Sequence, residues 1–167
     1  LFQGRAVGLY STQNAVEQYV RAADLVIGAV LIPGASAPKL VTRHDVAAMR
    51  PGAVLVDVAI DQGGCFETSQ ATTHQSPTYV VDDVVHYCVA NMPGGVARTA
   101  TMALTNATLP FALKLADKGL AALQDDDHLR QGLNVHGGHI THEAVAVALN
   151  ADYLPADKAL NPLMLSA

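Results

Sequence analysis

Residues 25–32 form an unbroken apolar run, Leu-Val-Ile-Gly-Ala-Val-Leu-Ile, closed by Pro33-Gly34. A run this short, stopped by a turn signal, predicts a strand buried on both faces, as in a parallel sheet. A second β-rich run covers residues 53–60 and ends in Asp61-Gln62-Gly63-Gly64. Shorter strands are expected over 78–81 and 86–90, the last one stopped by Asn91-Met92-Pro93-Gly94-Gly95. Helical patterns lie among them. Ala15, Val16, Tyr19, Val20 and Ala23 share one apolar helix face, with Ser11 as the expected N-cap and Asp24 as the end. A short helix is expected over 42–49, where Thr42 and Asp45 stand three apart, close to a capping box. This alternation is the cadence of parallel βα units and predicts an α/β fold.

The character changes after Gly95. Residues 99–107 and 110–116 are rich in Ala and Leu and read as helix. Pro110 either kinks one long helix or begins a second. Lys118-Gly119 is the expected C-terminal end. A helical turn is expected over 128–131, and Gly137-Gly138 suits a small hairpin between 133–135 and 139–140. Thr141 is expected to cap an apolar helix ending near Asn150, and the Pro-punctuated tail from Tyr153 reads as irregular. The opening Leu1-Phe2-Gln3-Gly4 resembles a protease tag scar and reads equally well as native.

Composition narrows the class. Of 167 residues, 50% are apolar and 15% charged, so disorder is excluded and a self-sufficient core is feasible. The net charge of −5 argues against a general nucleic-acid binder. No run approaches the roughly 18 apolar residues of a membrane span. Two cysteines are too few for a disulfide scaffold, and nothing signals secretion. A cytoplasmic protein is expected, with no nucleic acid or membrane as partner.

Three strand ends carry residues that a packed turn does not require: Ala29-Val30-Leu31-Ile32-Pro33-Gly34, Asp57-Val58-Ala59-Ile60-Asp61-Gln62-Gly63-Gly64 and Val89-Ala90-Asn91-Met92-Pro93. In open α/β sheets ligands bind outside the carboxyl ends of the strands. If the three are parallel, their ends face one crevice, where Gly and Pro would let the backbone approach a ligand. Asp61 is the sharpest candidate. It is either a proton carrier or ligand contact, or an Asp capping the turn before Gly63-Gly64. Asp57, within the strand, reads as structural, paired with a nearby backbone N–H. Asn91 reads equally as turn or site residue.

His136, His139, His142 and Glu143 match no zinc motif, and Gly137-Gly138 breaks any helix that would align them, so no metal is expected. His44, His74, His86 and His128 are isolated, with surface or capping roles as the default. Cys88 reads as a buried thiol, and Cys65 is open. No Gly-x-Gly-x-x-Gly and no Gly-rich Lys-Ser/Thr loop occurs. The pattern is that of the later half of a nucleotide-binding fold.

Four segments resemble the C-terminal part of the alanine dehydrogenases. They are 23–34 with Ala37-Pro38-Lys39-Leu40-Val41, then 49–67, then Tyr87-Cys88-Val89-Ala90-Asn91-Met92-Pro93, and Ala103-Leu104-Thr105-Asn106-Ala107-Thr108. The resemblance implies the second half of a Rossmann-type parallel sheet over residues 1–95, followed by a helical segment, 96–167, that returns to a substrate domain. It implies NAD as cofactor, L-alanine, pyruvate and ammonia as small-molecule substrates, and a homo-oligomer, a hexamer. It implies that Asp61 is the acid/base residue and that Ser11, Val30, Leu31, Val58, Ala59, Ile60, Asp61, Val89, Ala90, Asn91 and Met92 contact cofactor. The family's catalytic His, substrate-binding Arg and Lys, phosphate loop and ribose-binding acid correspond to places upstream of position 1. The resemblance therefore implies that this piece alone is inactive and exposes a sheet edge. Lys114 and Lys118 stand where some members carry magnesium ligands, so no metal follows. The alternative is the NAD(H)-binding component of a proton-translocating transhydrogenase, which shares the fold; a non-enzymatic scaffold is a third reading.

Overall fold

The computed structural model describes residues 3–33 and 36–161. Leu1 and Phe2 of the tag-like opening, Gly34 of the first stop and the end of the tail, 162–167, lie outside the described residues. The chain divides into two compact units, residues 3–32 with 36–95, and residues 96–161 with Pro33.

The first unit is a four-stranded sheet with two helices: α1 (Gln13–Ala22), β1 (Leu25–Gly28), α2 (Arg43–Ala47), β2 (Val54–Asp57), β3 (Thr78–Val81) and β4 (Val84–Tyr87). The strand order is β1-β2-β4-β3. β1 pairs with β2, and β2 with β4, in parallel, with Leu25 opposite Val54 and Val54 opposite Val85. The three strands whose ends drew attention in the sequence are therefore adjacent and point the same way. β3 is antiparallel to β4, turned by Asp82 and Asp83, both at positive φ, as a two-residue hairpin requires. Val46, Leu55, Phe66 and Val84 fill the core.

The strands are shorter than the apolar runs. β1 stops at Gly28, whose backbone lies hard against the next layer. A Cβ there would come within 2.2 Å of Cys65 Sγ and 2.6 Å of Phe66 Cζ. Nor is β1 buried on both faces: Leu25 and Ile27 are 55% and 60% exposed. Among the described residues β1 pairs only with β2, so it is an edge strand with one open apolar face. β2 stops at Asp57, and residues 58–62 coil into a 3₁₀ turn instead of continuing the strand. β4 begins at Val84, two residues ahead of the expected start, and closes at Tyr87.

Helix ends follow local chemistry. Thr12, not Ser11, caps α1, its hydroxyl accepting the Ala15 N–H, and the helix ends at Ala22, ahead of Asp24. Val20 is buried and Val16 packs on the core, whereas Tyr19 is exposed. The capping box of α2 is complete, with Asp45 Oδ2 accepting the Thr42 N–H at 3.1 Å and Thr42 Oγ1 accepting the Asp45 N–H at 3.2 Å. Burial pushes the Asp45 carboxyl up, but hydrogen bonds from Thr42 and Arg21 outweigh it, and the net shift is downward.

The second unit is mainly helical: α3 (Ala97–Lys118), α4 (Ala121–Asp125), α5 (Asp127–Arg130), a hairpin of β5 (Val135–His136) and β6 (His139–Ile140), α6 (Glu143–Leu149) and α7 (Ala156–Ala159). α3 runs through Pro110 as one helix and ends at Gly119, φ +57. Gly137 and Gly138 turn the hairpin at positive φ. Asp126 caps α5 and pairs with Lys114 at 2.7 Å, which holds its carboxyl down at about 2. Thr141 does not cap α6; its hydroxyl donates to the Leu133 carbonyl at 2.7 Å, and His142 takes the cap position with no side-chain bond. Asn150 closes α6 in the left-handed conformation. The tail is less irregular than expected, since α7 lies within it. Among the described residues no helix is long and apolar enough to cross a membrane.

His86 departs most from expectation. It is fully buried in β4, stacked on Tyr79 at 4.9 Å, with Nε2 2.7 Å from Thr68 Oγ1 and Nδ1 3.0 Å from the Val84 carbonyl. A surface role fails because the sheet's alternation turns this position inward. Burial lowers its pKa below the ordinary histidine value. The unfolded chain then binds the proton first, so stability falls as pH drops through the ordinary range near ~6.5. In urea denaturation the midpoint is expected to fall between about pH 7.5 and about pH 5.5, and to fall less for His86→Gln. Equal falls in the two proteins would refute this origin.

Candidate active site

The site is assembled around the carboxyl end of β2. Asp57, the last residue of that strand and fully buried, accepts from three neighbours. Oδ1 takes the Ala59 N–H at 3.0 Å, and Oδ2 takes the Cys65 N–H at 2.8 Å and the Ser69 hydroxyl. Asp57 is thus the structural carboxylate expected from the sequence, at the strand's last position. Its bonds fold residues 58–64 into a tight loop that carries Asp61 outward. Gly63 and Gly64 both hold positive φ, at +89 and +74. Gly63 is open on its Cα side, but a Cβ on Gly64 would lie 2.7 Å from Asp57 Oδ2 and 2.8 Å from Ser69 Cβ. Gly64 therefore serves packing, where close approach to a ligand was expected.

A cavity of about 350 Å³ opens beside this loop, lined by Ala29, Val30, Leu31, Val58, Ala59, Asp61 and Gln62. Five of the residues singled out in the sequence meet here: Val30, Leu31, Val58, Ala59 and Asp61. Its walls are mainly small and apolar, and Asp61, exposed, supplies a carboxylate. Ile60 is buried at 7% exposure and does not line it. Beyond the neighbouring strand β4, Val89 is wholly buried, Ala90 and Asn91 are exposed and Met92 is half-buried. Asn91 holds φ +59, and its carbonyl accepts from Gly94 N–H at 2.9 Å and from His74 Nε2 at 3.0 Å. Ser11 lies in a second cleft of about 360 Å³, with Lys39, Thr42 and Asp45 among its lining residues.

Both cysteines are free and buried. Burial and the adjacent Asp57 push the Cys65 thiol up to about 11, which makes it a poor nucleophile. Among the described residues no group of three or more His, Cys, Asp or Glu side chains is arranged to hold a metal ion. Two residues near the site had no signal for the contacts they make, although Lys39 stands in the segment 37–41 that carries the resemblance. Lys39 Nζ donates to the Gly63 and Gly64 carbonyls at 2.5 and 2.8 Å, and His74 braces Asn91. Both contacts join segments distant in the chain, so no local pattern marks them.

The family described as "Alanine dehydrogenase/PNT, C-terminal domain" matches residues 1–143. The chain belongs to this family. Within the alanine dehydrogenase/PNT family, it is 65% identical over 156 residues to an alanine dehydrogenase of Halomonas elongata, covering 93% of this chain and 42% of that protein. It is 58% identical to an alanine dehydrogenase of Mycolicibacterium smegmatis, over 93% of this chain and 42% of the relative. A solved L-alanine dehydrogenase superposes with a TM-score of 0.75 at 53% identity, over 89% of this chain and 41% of that one. A transhydrogenase from Sinorhizobium meliloti gives 0.60 at 28% identity, over 80% and 36%. The chain thus spans about two fifths of the length of these relatives.

Removing the buried anchor tests how the family member holds this loop. Asp57→Asn replaces one acceptor oxygen with a donor and strands a buried N–H, at an expected cost of about 1–3 kcal/mol. Urea denaturation measures it; an unchanged midpoint would show that Asp57 does not hold the loop.

Proposed function

We propose that this chain supplies the later half of the NAD-binding domain of an NAD-dependent alanine dehydrogenase, which oxidises L-alanine reversibly to pyruvate and ammonia. The observation that carries the reading is the cavity at the carboxyl ends of two adjacent parallel strands, with Asp61 on its rim, in a chain 65% identical to an alanine dehydrogenase. The strand ends are where open α/β sheets bind ligands.

The residues present fit a nicotinamide nucleotide. Ala29, Val30, Leu31, Val58 and Ala59 offer apolar walls with little side-chain bulk, which suit a flat ring and its ribose. The cofactor, when bound, accepts hydride from the substrate carbon. Asp61 would carry the proton that oxidation of the amine must release, and return it in the reverse direction. Val89, Ala90, Asn91 and Met92 would border the same crevice from the β4 side, with Val89 acting through its backbone because its side chain is buried. Ser11 would contact the cofactor from the second cleft, and Ile60 through its backbone.

The exposed apolar face of β1 and the apolar residues of α3 support the reading of a chain that packs against further protein. Met102, Leu104, Phe111 and Leu113 are each at least 45% exposed on α3. Apolar surface of that extent marks a protein contact. We assign residues 1–95 to the NAD domain and 96–167 to a segment returning to a substrate domain, in a cytoplasmic homo-hexamer. The upstream catalytic groups would come from the remainder of the full-length enzyme, and this piece alone would be inactive.

The test uses the full-length protein that carries this chain. It is expected to reduce NAD with L-alanine, and Asp61→Asn should lower that turnover about 10²-fold or more while NAD binding stays nearly unchanged. Nucleotide binding without alanine turnover would favour the transhydrogenase-like reading. Turnover unaffected by the substitution would remove Asp61 from proton transfer.

A further inference from the structure

We infer that Lys39 is a positioning residue for Asp61, an ammonium latch that holds the outer side of the loop whose inner side Asp57 anchors. The inference rests on the alanine dehydrogenase reading for the role of Asp61, and on geometry alone for the latch.

The loop after β2 has a donor problem and an acceptor problem. Asp57 solves the first by taking the Ala59 and Cys65 N–H groups. The Gly63 and Gly64 N–H groups turn back onto the Ile60 and Ala59 carbonyls, closing the 3₁₀ turn. That leaves the carbonyls at the C-terminal end of the turn, where partial negative charge gathers. The Gln62 carbonyl accepts from Ala37 N–H at 2.9 Å. The Gly63 and Gly64 carbonyls both accept from Lys39 Nζ, at 2.5 and 2.8 Å. Charge-assisted bonds of this kind are roughly twice as strong as neutral ones.

Lys39 is itself held in place. Leu40 N–H donates to the Cys65 carbonyl at 2.8 Å, and Glu67 N–H to the Val41 carbonyl at 2.9 Å. The segment carrying the lysine is therefore fixed to the chain just past the loop. Both glycines hold a left-handed conformation that glycine keeps at no steric cost but with the greatest loss of chain entropy. A loop so free in its own torsions needs an external constraint. The lysine supplies it two residues after Asp61. Displacement of a reacting group by about 1 Å can cost about 10²-fold in rate.

The experiment compares full-length wild-type protein with Lys39→Met, which keeps the stem but removes the ammonium, and Lys39→Arg, which keeps donors. Alanine turnover and amide hydrogen exchange over residues 59–66 are read on each. Lys39→Met is expected to lower kcat about 10- to 100-fold, leave the KM for NAD within about threefold, and speed exchange in that segment. Lys39→Arg is expected to restore most of both. An unchanged kcat with unchanged exchange overturns the latch. A rise in the KM for NAD with unchanged exchange also overturns it, and makes Lys39 a cofactor contact instead. If wild-type protein fails to oxidise alanine, the functional reading falls, while the exchange comparison still decides whether Lys39 holds the loop.

Discussion

The buried carboxylate of Asp57 is the constraint on which the first unit turns. A parallel sheet ends each strand with backbone groups that have no neighbour to pair with, and a loop leaving the sheet must find partners for them. The Asp57 side chain takes two of the loop's, the Ala59 and Cys65 N–H groups, and the Ser69 hydroxyl besides. One side chain therefore fixes where β2 stops, which way residues 58–62 coil and where the chain rejoins the core at Cys65 and Phe66. A buried carboxylate is costly to desolvate, and it is tolerated here because its oxygens are met by donors. The same contact makes glycine necessary at position 64, since any side chain there would strike the carboxylate.

That geometry separates two aspartates four residues apart by burial alone. Asp57 is wholly buried and spends its oxygens on the fold; Asp61 is exposed on the rim of the cavity. The buried carboxylate is committed to three donors, whereas the exposed one lines the cleft. The β4 side repeats the arrangement with weaker means. Thr72 runs beside the strand's continuation, its N–H donating to the Cys88 carbonyl and its carbonyl accepting from Ala90. His74 then ties the Asn91 carbonyl, and its ring lies 3.3 Å from where a Cβ on Gly94 or Gly95 would sit. Both strand ends are thus braced by chain from outside the strand.

Much of this was legible in the sequence, and the misses have physical causes. The runs at 25–32 and 53–60 located two parallel neighbours, but each overran its strand. The surplus residues are informative. Ala29, Val30 and Leu31 after β1, and Val58 and Ala59 after β2, line the cavity. Leu31 and Val58 are exposed at the cleft while Ala59 is in the core and Val30 packs on it, and hydropathy alone does not distinguish the two uses. The capping box at Thr42 and Asp45 was readable because both partners lie within one turn. Thr141 was misread because its hydroxyl found the Leu133 carbonyl across the hairpin. His86 was misread because Thr68 and Tyr79 reach it from separate segments.

The same distinction bears on why the loop after β2 has three kinds of support rather than one. The proton-transfer role proposed for Asp61 needs a carboxylate at the surface of a cleft, so burial is not available to hold it. Left-handed glycines give the loop its tight return, yet they lower its own stiffness. Rigidity must then come from the groups on either side of it. Asp57 gathers the loop's donors from beneath, Lys39 gathers its acceptors from outside, and Ala37 fixes Gln62 between them. A carboxylate beneath and an ammonium outside meet the donors and acceptors of one short turn, and Asp61 on that turn lines the cleft beside it.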